Sequence, residues 1–410
     1  MGFNLENGKL KYYRIRPHDE LLTLSVPEDT EIVKSYTMLK IKHIEMATSI
    51  FIHKGVKGLY PQAFCKCTNM RNFQVSKLNM YMTEVDGVLY DKLKQTLLCC
   101  PPDRGYIHLP ASVKYIQETN AFAGCHDLKY ITADKYNRKF TVIDGVLYQL
   151  EKGKPVKLVR CPVDIQHIDI PETVTQIAGY AFRNCTELAE ITIPEQVTEI
   201  PEYAFRNCHQ LSQLHLHSGI KLIDKYAFEG CKSLREVIIP SGVEKITFGA
   251  FYDCELIDIL DIPESVTKVG YLGAGGYRTV AVSCHGIELP ARNGHISSMI
   301  CMIVNENLNE DIPPEFKYPL LYQMFLRNQD SFHIKKYIQN HFTEIMTYLI
   351  QQNQKELTKH YLDSFQECLN AQNLDELIRV ANEQKNYDLQ LFLTDLKYQK
   401  NAFAPKDWSL

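Results

Sequence analysis

The chain has 410 residues, with 45 basic against 49 acidic side chains and a formal net charge of -4. That balance excludes the basic footprint of a nucleic-acid-binding protein, while 45% hydrophobic content suffices for the cores of two or three domains. No window reaches the ~18 consecutive apolar residues of a membrane helix. The first 30 residues lack the apolar run of a signal peptide, and Glu6 stands where a myristoylation signal wants Ser or Thr. A soluble cytoplasmic protein is therefore expected, or a cell-surface or secreted one if a leader has been removed.

In chain order, residues 1–47 carry short alternating segments, around Lys11-Tyr-Tyr-Arg-Ile and Leu22-Thr-Leu-Ser-Val. They read as strands of an N-terminal cap, because a stacked fold must cover the apolar face of its first unit. From Ile50 a phrase begins that organises the rest: an I-P step, then V-T-x-I, then A-F-x-x-C-x-x-L. Phe182, Phe205, Phe228 and Phe251 stand 23 residues apart, as do Cys185, Cys208, Cys231 and Cys254. Pro171, Pro194, Pro240 and Pro263 keep the same step, with His217 in the missing slot and His53 in that slot upstream. A fixed period of this length is the mark of a solenoid, predicted over residues 48–290.

Phe64 to Phe122 is 58 residues and Phe122 to Phe182 is 60, so two insertions of similar sequence interrupt the period, at about 76–102 and 136–162. Each holds an Asp-Gly-Val-Leu-Tyr segment, Asp86–Tyr90 and Asp144–Tyr148. Asp-Gly between β-formers predicts a hairpin with a primed two-residue turn, followed by a third strand and projecting from the coils.

The phrase A-F-x-x-C-x-x-L, the I-P-x-x-V step and the D-G-V-L-Y hairpins resemble the BspA-type leucine-rich repeat family over roughly residues 48–270. The resemblance implies a curved solenoid whose short strands line one face. Its members include bacterial surface proteins that bind host matrix proteins, and the family brings no catalytic residues with it.

The pleat near the proline turns Leu188, Ile191 and Ile193 inward, and their equivalents Leu211, Leu214, Leu216 and Leu234, Val237, Ile239 likewise. Between them, Asp169, Thr192, His215, Ile238 and Asp261 must point outward. Two residues back runs a second outward column, His167, Glu190, Gln213, Glu236 and Ile259. Acids interspersed with isoleucine suit a protein or peptide partner rather than a polyanion. Asp169, Glu190, Thr192, Gln213, His215, Glu236, Ile238 and Asp261 are the candidate partner-binding residues.

The 13 cysteines carry less chemistry than their number suggests. Cys67, Cys125, Cys185, Cys208, Cys231 and Cys254 each follow the phrase's phenylalanine by three residues, so they form one apolar column of free thiols. Cys65-x-Cys67 and Cys99-Cys100 lack a second pair at zinc spacing. His209, His215 and His217 lack a third ligand at matching depth and read as solvated surface histidines. Neither a metal nor a cofactor is expected. Asn184-Cys-Thr186 fits a glycosylation pattern only if the chain is secreted, and Gly273-Ala-Gly275-Gly276 lacks the context of a phosphate loop.

Residues 279–289 read as closing strands and 291–314 as a linker ending near Ile312-Pro313-Pro314. From 315 to 410 the period becomes helical. Glu344–Leu357 aligns with Glu376–Leu389 at an offset of 32, which resembles degenerate ankyrin repeats and predicts an all-α unit that caps the solenoid or hinges from it. The fold class is therefore an α/β repeat: a β-rich leucine-rich-repeat solenoid, then an ankyrin-like helical C-terminal unit. No Ser/His/Asp, Cys/His or paired-carboxylate arrangement is legible. The expected function is a non-catalytic scaffold holding a protein or peptide on the strand face. The alternatives are a bacterial surface adhesion protein and an enzyme hidden between Gly270 and Gly294 or in the helices.

Overall fold

The computed structural model describes residues 2–6, 9–13, 22–26, 29–34, 44–117, 121–273, 281–290 and 294–402. It divides into two compact units, residues 1–297 and 298–410. The first is a β-solenoid of about ten turns, and the second is helical.

One coil explains the others. Glu190–Thr192 pairs in parallel with Gln213–His215 of the next coil, residue for residue at the 23-residue step. Pro194 then turns the chain, its carbonyl accepting from Val197 N–H at 2.9 Å. The short strand Glu199–Ile200 pairs with Leu222–Ile223, which begins a second parallel ladder continuing through Lys245–Ile246 to Lys268–Val269. Ile191, Val197, Ile200, Phe205, Cys208 and Leu211 all face the core and are buried. Each phenylalanine stacks on the next, with ring centroids 4.7, 5.2 and 5.5 Å apart from Phe182 through Phe205 and Phe228 to Phe251. Burying one such ring is worth about 2–3 kcal/mol, and stacking adds to that.

The phrase's turn forms a third ladder. Phe182, Phe205 and Phe228 donate their N–H to the carbonyls of Ala204, Ala227 and Ala250, at 2.8–2.9 Å. Two residues before each phenylalanine the backbone is left-handed, at Tyr180, Tyr203 and Tyr226, with φ of 64, 57 and 54°. Positive φ is unfavourable for such side chains, yet Tyr180, Tyr203 and Tyr226 stack on one another at 4.9 and 5.2 Å. In the next coil Gly249 holds this place at φ 69°, and a Cβ there would meet the Tyr226 ring at 2.4 Å.

Both strand ladders are segmented. On the strand face, Tyr106–Leu109 pairs with Tyr130–Ala133, and separate sheets begin at Glu190 and at Glu236. Residues 167–169 form no strand. Leu214 and Leu216 point inward as expected but are only half-buried, where the ladder breaks between Gln213–His215 and Glu236–Ile238.

The insertions form the expected hairpins. Met82–Val85 pairs antiparallel with Val88–Asp91 around Asp86-Gly87, and Phe140–Ile143 with Val146–Glu151 around Asp144-Gly145. All four turn residues have positive φ, from 47 to 79°, as a primed turn demands. They do not project from the coils. Val88, Leu89 and Tyr90 are all buried, as are Val146, Leu147 and Tyr148. A third strand, Thr96–Cys99 or Lys154–Arg160, places each hairpin inside the stack by pairing in parallel with the following coil. Three consecutive buried residues mean that both faces of the middle strand are covered.

The segment expected as a cap supplies a coil of its own, since Thr23–Ser25 pairs in parallel with Ser49–Phe51. At the other end, Ala281–Cys284 and Ile287–Leu289 close the strand face as an antiparallel pair. Gly275, Gly276 and the final residues 403–410 lie outside the described residues.

Six helices follow: α1 (Ile296–Asn305), α2 (Pro314–Arg327), α3 (Phe332–Gln351), α4 (Lys355–Ser364), α5 (Ala371–Glu383) and α6 (Tyr387–Ala402). Helix α1 occupies the segment read as a linker. Ser331 caps α3 by accepting from Ile334 N–H, and Asn370 with Asn373 forms a reciprocal capping box on α5. The offset of 32 is the α3–α4 turn made again between α5 and α6. Asn353 and Lys385 are both left-handed, at φ 55 and 56°. Gln354 N–H donates to Leu349 and Asn386 N–H to Ala381, each at 2.9 Å.

Candidate functional site

The parallel register fixes what the strand face presents. With Ile191 and Val237 buried in the core, Glu190, Thr192, Glu236 and Ile238 are exposed on the other side of the pleat. Gln213 and His215 are exposed beside them, Asp261 is half-buried, and Asp169 is exposed on a stretch outside any strand. Residues 190–215 and 236–261 thus form two in-register stretches of the strand face, separated by the lapse after His215, whereas Asp169 reaches that face from an irregular segment. None of these positions is Lys or Arg.

Two of the acids lie beside histidines. His215 Nε2 lies 2.9 Å from Glu190 Oε1 of the preceding coil, and His167 Nε2 is 3.2 Å from Asp169 Oδ1. Two clefts flank this stretch. One, of about 710 Å³, opens where residues 167–170 leave the ladder and is lined by Asp169, Glu172, Glu190 and Glu195 among others. The second, of about 540 Å³, is floored by Ile238, Ile259, Leu260 and Val282 beside the closing hairpin. Ile238 is 56% exposed and Ile259 41%, an apolar pair left on a polar surface.

The face also extends upstream of the residues named from sequence. Tyr106 and His108 register with Tyr130 and Thr132, and His108 Nδ1 lies 2.9 Å from the Thr132 hydroxyl. Tyr106 and Tyr130 are 41% and 67% exposed. The alternation Y-I-H-L and Y-I-T-A carried that signal, but the irregular spacing of these coils hid it.

One histidine assignment changes. His217 is nearly buried, its side chain 10% exposed, and its Nδ1 accepts from Gly219 N–H at 3.1 Å. His53 does the same with Gly55 at 3.1 Å. In both, the ring closes the turn that proline closes elsewhere, so His217 is no solvated surface residue. His209 and His215 are exposed as expected. Among the described residues no cluster of three or more His, Cys, Asp or Glu is placed to hold a metal.

The cysteines are free, and every member of the repeat column is buried. Cys208, Cys231 and Cys254 donate their thiols to the carbonyls of Phe182, Phe205 and Phe228 at 3.1–3.2 Å. Burial pushes the thiols of Cys67, Cys185 and Cys254 up to about 12, which opposes the thiolate a nucleophile needs. Cys125 is the exception. Its burial is outweighed by a contact with Cys100 and by the guanidiniums of Arg160 and Arg183, so its thiol is drawn down. It is nevertheless fully enclosed.

Several buried polar residues were not foreseen. Asn79 donates to the carbonyls of His53 and Val56 and accepts from Tyr81 and Met82 N–H. Asn137 repeats the pattern with Pro110, Val113, Lys139 and Phe140. Arg160 is fully buried and donates to the carbonyls of Tyr180 and Cys125, at 2.6 and 3.1 Å. These are structural ties between coils.

Six copies of a family model, the BspA type leucine rich repeat region, match residues 17–85, 103–144 and 160–272. Among solved structures, a leucine-rich repeat protein from Eubacterium ventriosum is 19% identical over 64% of this chain and 64% of its own, with a TM-score of 0.36. This chain thus spans just under two thirds of that protein. A leucine rich cell surface protein from Faecalibacterium prausnitzii is 22% identical over 62% of this chain and 88% of its own, at a TM-score of 0.38. The pneumococcal vaccine antigen PcpA is 16% identical over 67% and 70%, at 0.42. No curated protein matches.

Proposed function

This chain belongs to the BspA-type leucine-rich repeat family, and from that premise we propose that it is a non-catalytic scaffold holding a protein or peptide on the strand face of its solenoid. The observation that carries the reading is the register itself. Glu190 and Thr192 stand in register with Gln213 and His215, and Glu236 and Ile238 with Ile259 and Asp261 in a separate sheet further along the coils, which supports a face shared by one partner. That surface has acids, apolar anchors and no cation. A partner presenting basic residues beside an aliphatic one complements it in charge and in shape. Asp169 joins the same partner from the rim of the acidic cleft.

The test is fluorescence anisotropy with labelled peptides that alternate Lys and Leu, or Glu and Leu. The basic peptide should bind the full chain saturably, and any binding of the acidic one should not depend on the strand face. Replacing Glu190, Glu236 and Asp261 together by Lys should weaken binding at least about tenfold. A basic peptide that does not bind saturably, or an indifferent triple variant, overturns the reading.

Display on a bacterial surface is a second proposal, which rests on the family's surface-protein members. Antibody labelling of intact cells against lysed cells decides it. Among the described residues no helix is long and apolar enough to cross a membrane.

A further inference from the structure

We propose a second docking site, away from the strand face, where an acidic segment of a partner adds as an extended strand to the edge at Tyr115–Ile116. The site arises because the second ladder is interrupted by an insertion. Tyr115–Ile116 pairs with Thr96–Cys99 on one side and ends its sheet. The next coil-closing strand, Lys154–Arg160, is already paired on both sides, with Val146–Glu151 and with Gln176–Ile177. A cleft of about 340 Å³ separates the two sheets.

Its backbone supplies the first argument. Tyr115 and Gln117 donate their N–H to Gln95 and Leu97 at 3.0 and 2.9 Å. Alternation along a parallel strand therefore turns the N–H and C=O of Ile116 the other way, into the cleft. Among the described residues no strand pairs with that side, and an edge left bare in this way is a template for another chain.

The lining supplies the second. Phe122, Phe140 and Val159 form a buried apolar floor, with Ile116 half-buried at the rim. Lys114 and Lys157 stand on opposite walls, and the described lining residues include no carboxylate. Glu118, next along the chain, lies outside the described residues. An occupant that alternates carboxylates with β-branched side chains meets the lysines with one face and the floor with the other. This proposal does not depend on the strand-face reading, since the two sites share no residue.

The experiment uses the full chain and labelled peptides of the type Glu-Val-Glu-Ile-Glu-Val in anisotropy titrations. Saturable binding is expected, and Lys114→Glu and Lys157→Glu should each weaken it at least about tenfold. A peptide of equal charge with two internal prolines, which cannot donate to the edge, should lose as much. Lys268→Glu tests general surface charge and should leave binding unchanged. Circular dichroism checks that each variant is folded. Absence of saturable binding makes the lysines guards of a bare edge and overturns the proposal. So does binding that ignores Lys114 and Lys157, or that survives the prolines.

Discussion

Cys208 hands its thiol hydrogen to the carbonyl of Phe182, 3.1 Å away in the preceding coil. The cysteine column is therefore more than a small apolar filling. It supplies one sulfur-to-carbonyl bond per coil, beneath a stack of phenylalanine rings. In the native protein, Cys185, Cys208 and Cys231 should resist a thiol reagent, while the half-buried Cys65 and Cys368 react first. Rapid modification of the column, mapped by mass spectrometry, would contradict this arrangement.

The same burial makes the solenoid sensitive to alkali. Cys185 and Cys254 have folded pKa values of about 12, against an ordinary value of 9.0. A thiol held protonated in the fold contributes its full stability below pH about 9 and loses it as pH rises towards 12. Urea midpoints should fall between pH 9 and 11, and Cys185→Ala should make the fall shallower than in the parent. A slope unchanged by that substitution would place the ionising group elsewhere.

His217 and proline are interchangeable on this geometry. His217→Pro should be neutral or stabilise by up to about 1 kcal/mol, because a fixed φ lowers the entropy of the unfolded chain. His217→Ala removes the acceptor for Gly219 N–H and should cost about 1 kcal/mol. Thermal melts of the two variants should bracket the parent.

Asn137 meets four backbone groups at once. Asn137→Leu strands two donors and two acceptors and should cost about 3 kcal/mol or more. Asn79→Leu should cost a similar amount. A near-neutral result by chemical denaturation would mean that water replaces the amide.

Gly249→Ala meets both a left-handed backbone and the Tyr226 ring, and should cost about 2–3 kcal/mol. Truncating the ring by Tyr226→Ala removes the collision but not the backbone strain. The double variant should then be less destabilised than the sum of the single ones.

Much of this fold is written in columns, and columns are legible without a structure. A 23-residue step places phenylalanines, cysteines and inward aliphatics because identical coils bury identical positions. Asp86-Gly87 and Asp144-Gly145 declared their hairpins because only a primed turn needs two positive φ angles in a row. What escaped depends on how one coil meets the next. Pairing is lost at 167–169 and after His215, and no single period records that. The hairpins lie inside the stack because each third strand finds a parallel neighbour in a later coil. Tyr106 and Tyr130 were hidden for a related reason, since the insertions displaced them from the regular step. Asn79, Asn137 and Arg160 escaped because the carbonyls they donate to lie 20 or more residues away.

The three ladders are unequal in a way that bears on how the solenoid yields. Strand pairing lapses on the strand face between His215 and Glu236, and in the second ladder between Ile177 and Glu199. The turn-side bonds run on without a gap from Phe182 to Phe251, which donates to Leu272. Coils bound along one margin and loosely joined along the other open like the leaves of a book, fanning at the free edge while the binding stays fixed. A ligand on the strand face would meet a surface whose spacing can adjust at those lapses, with the aromatic stack as the spine on which it turns.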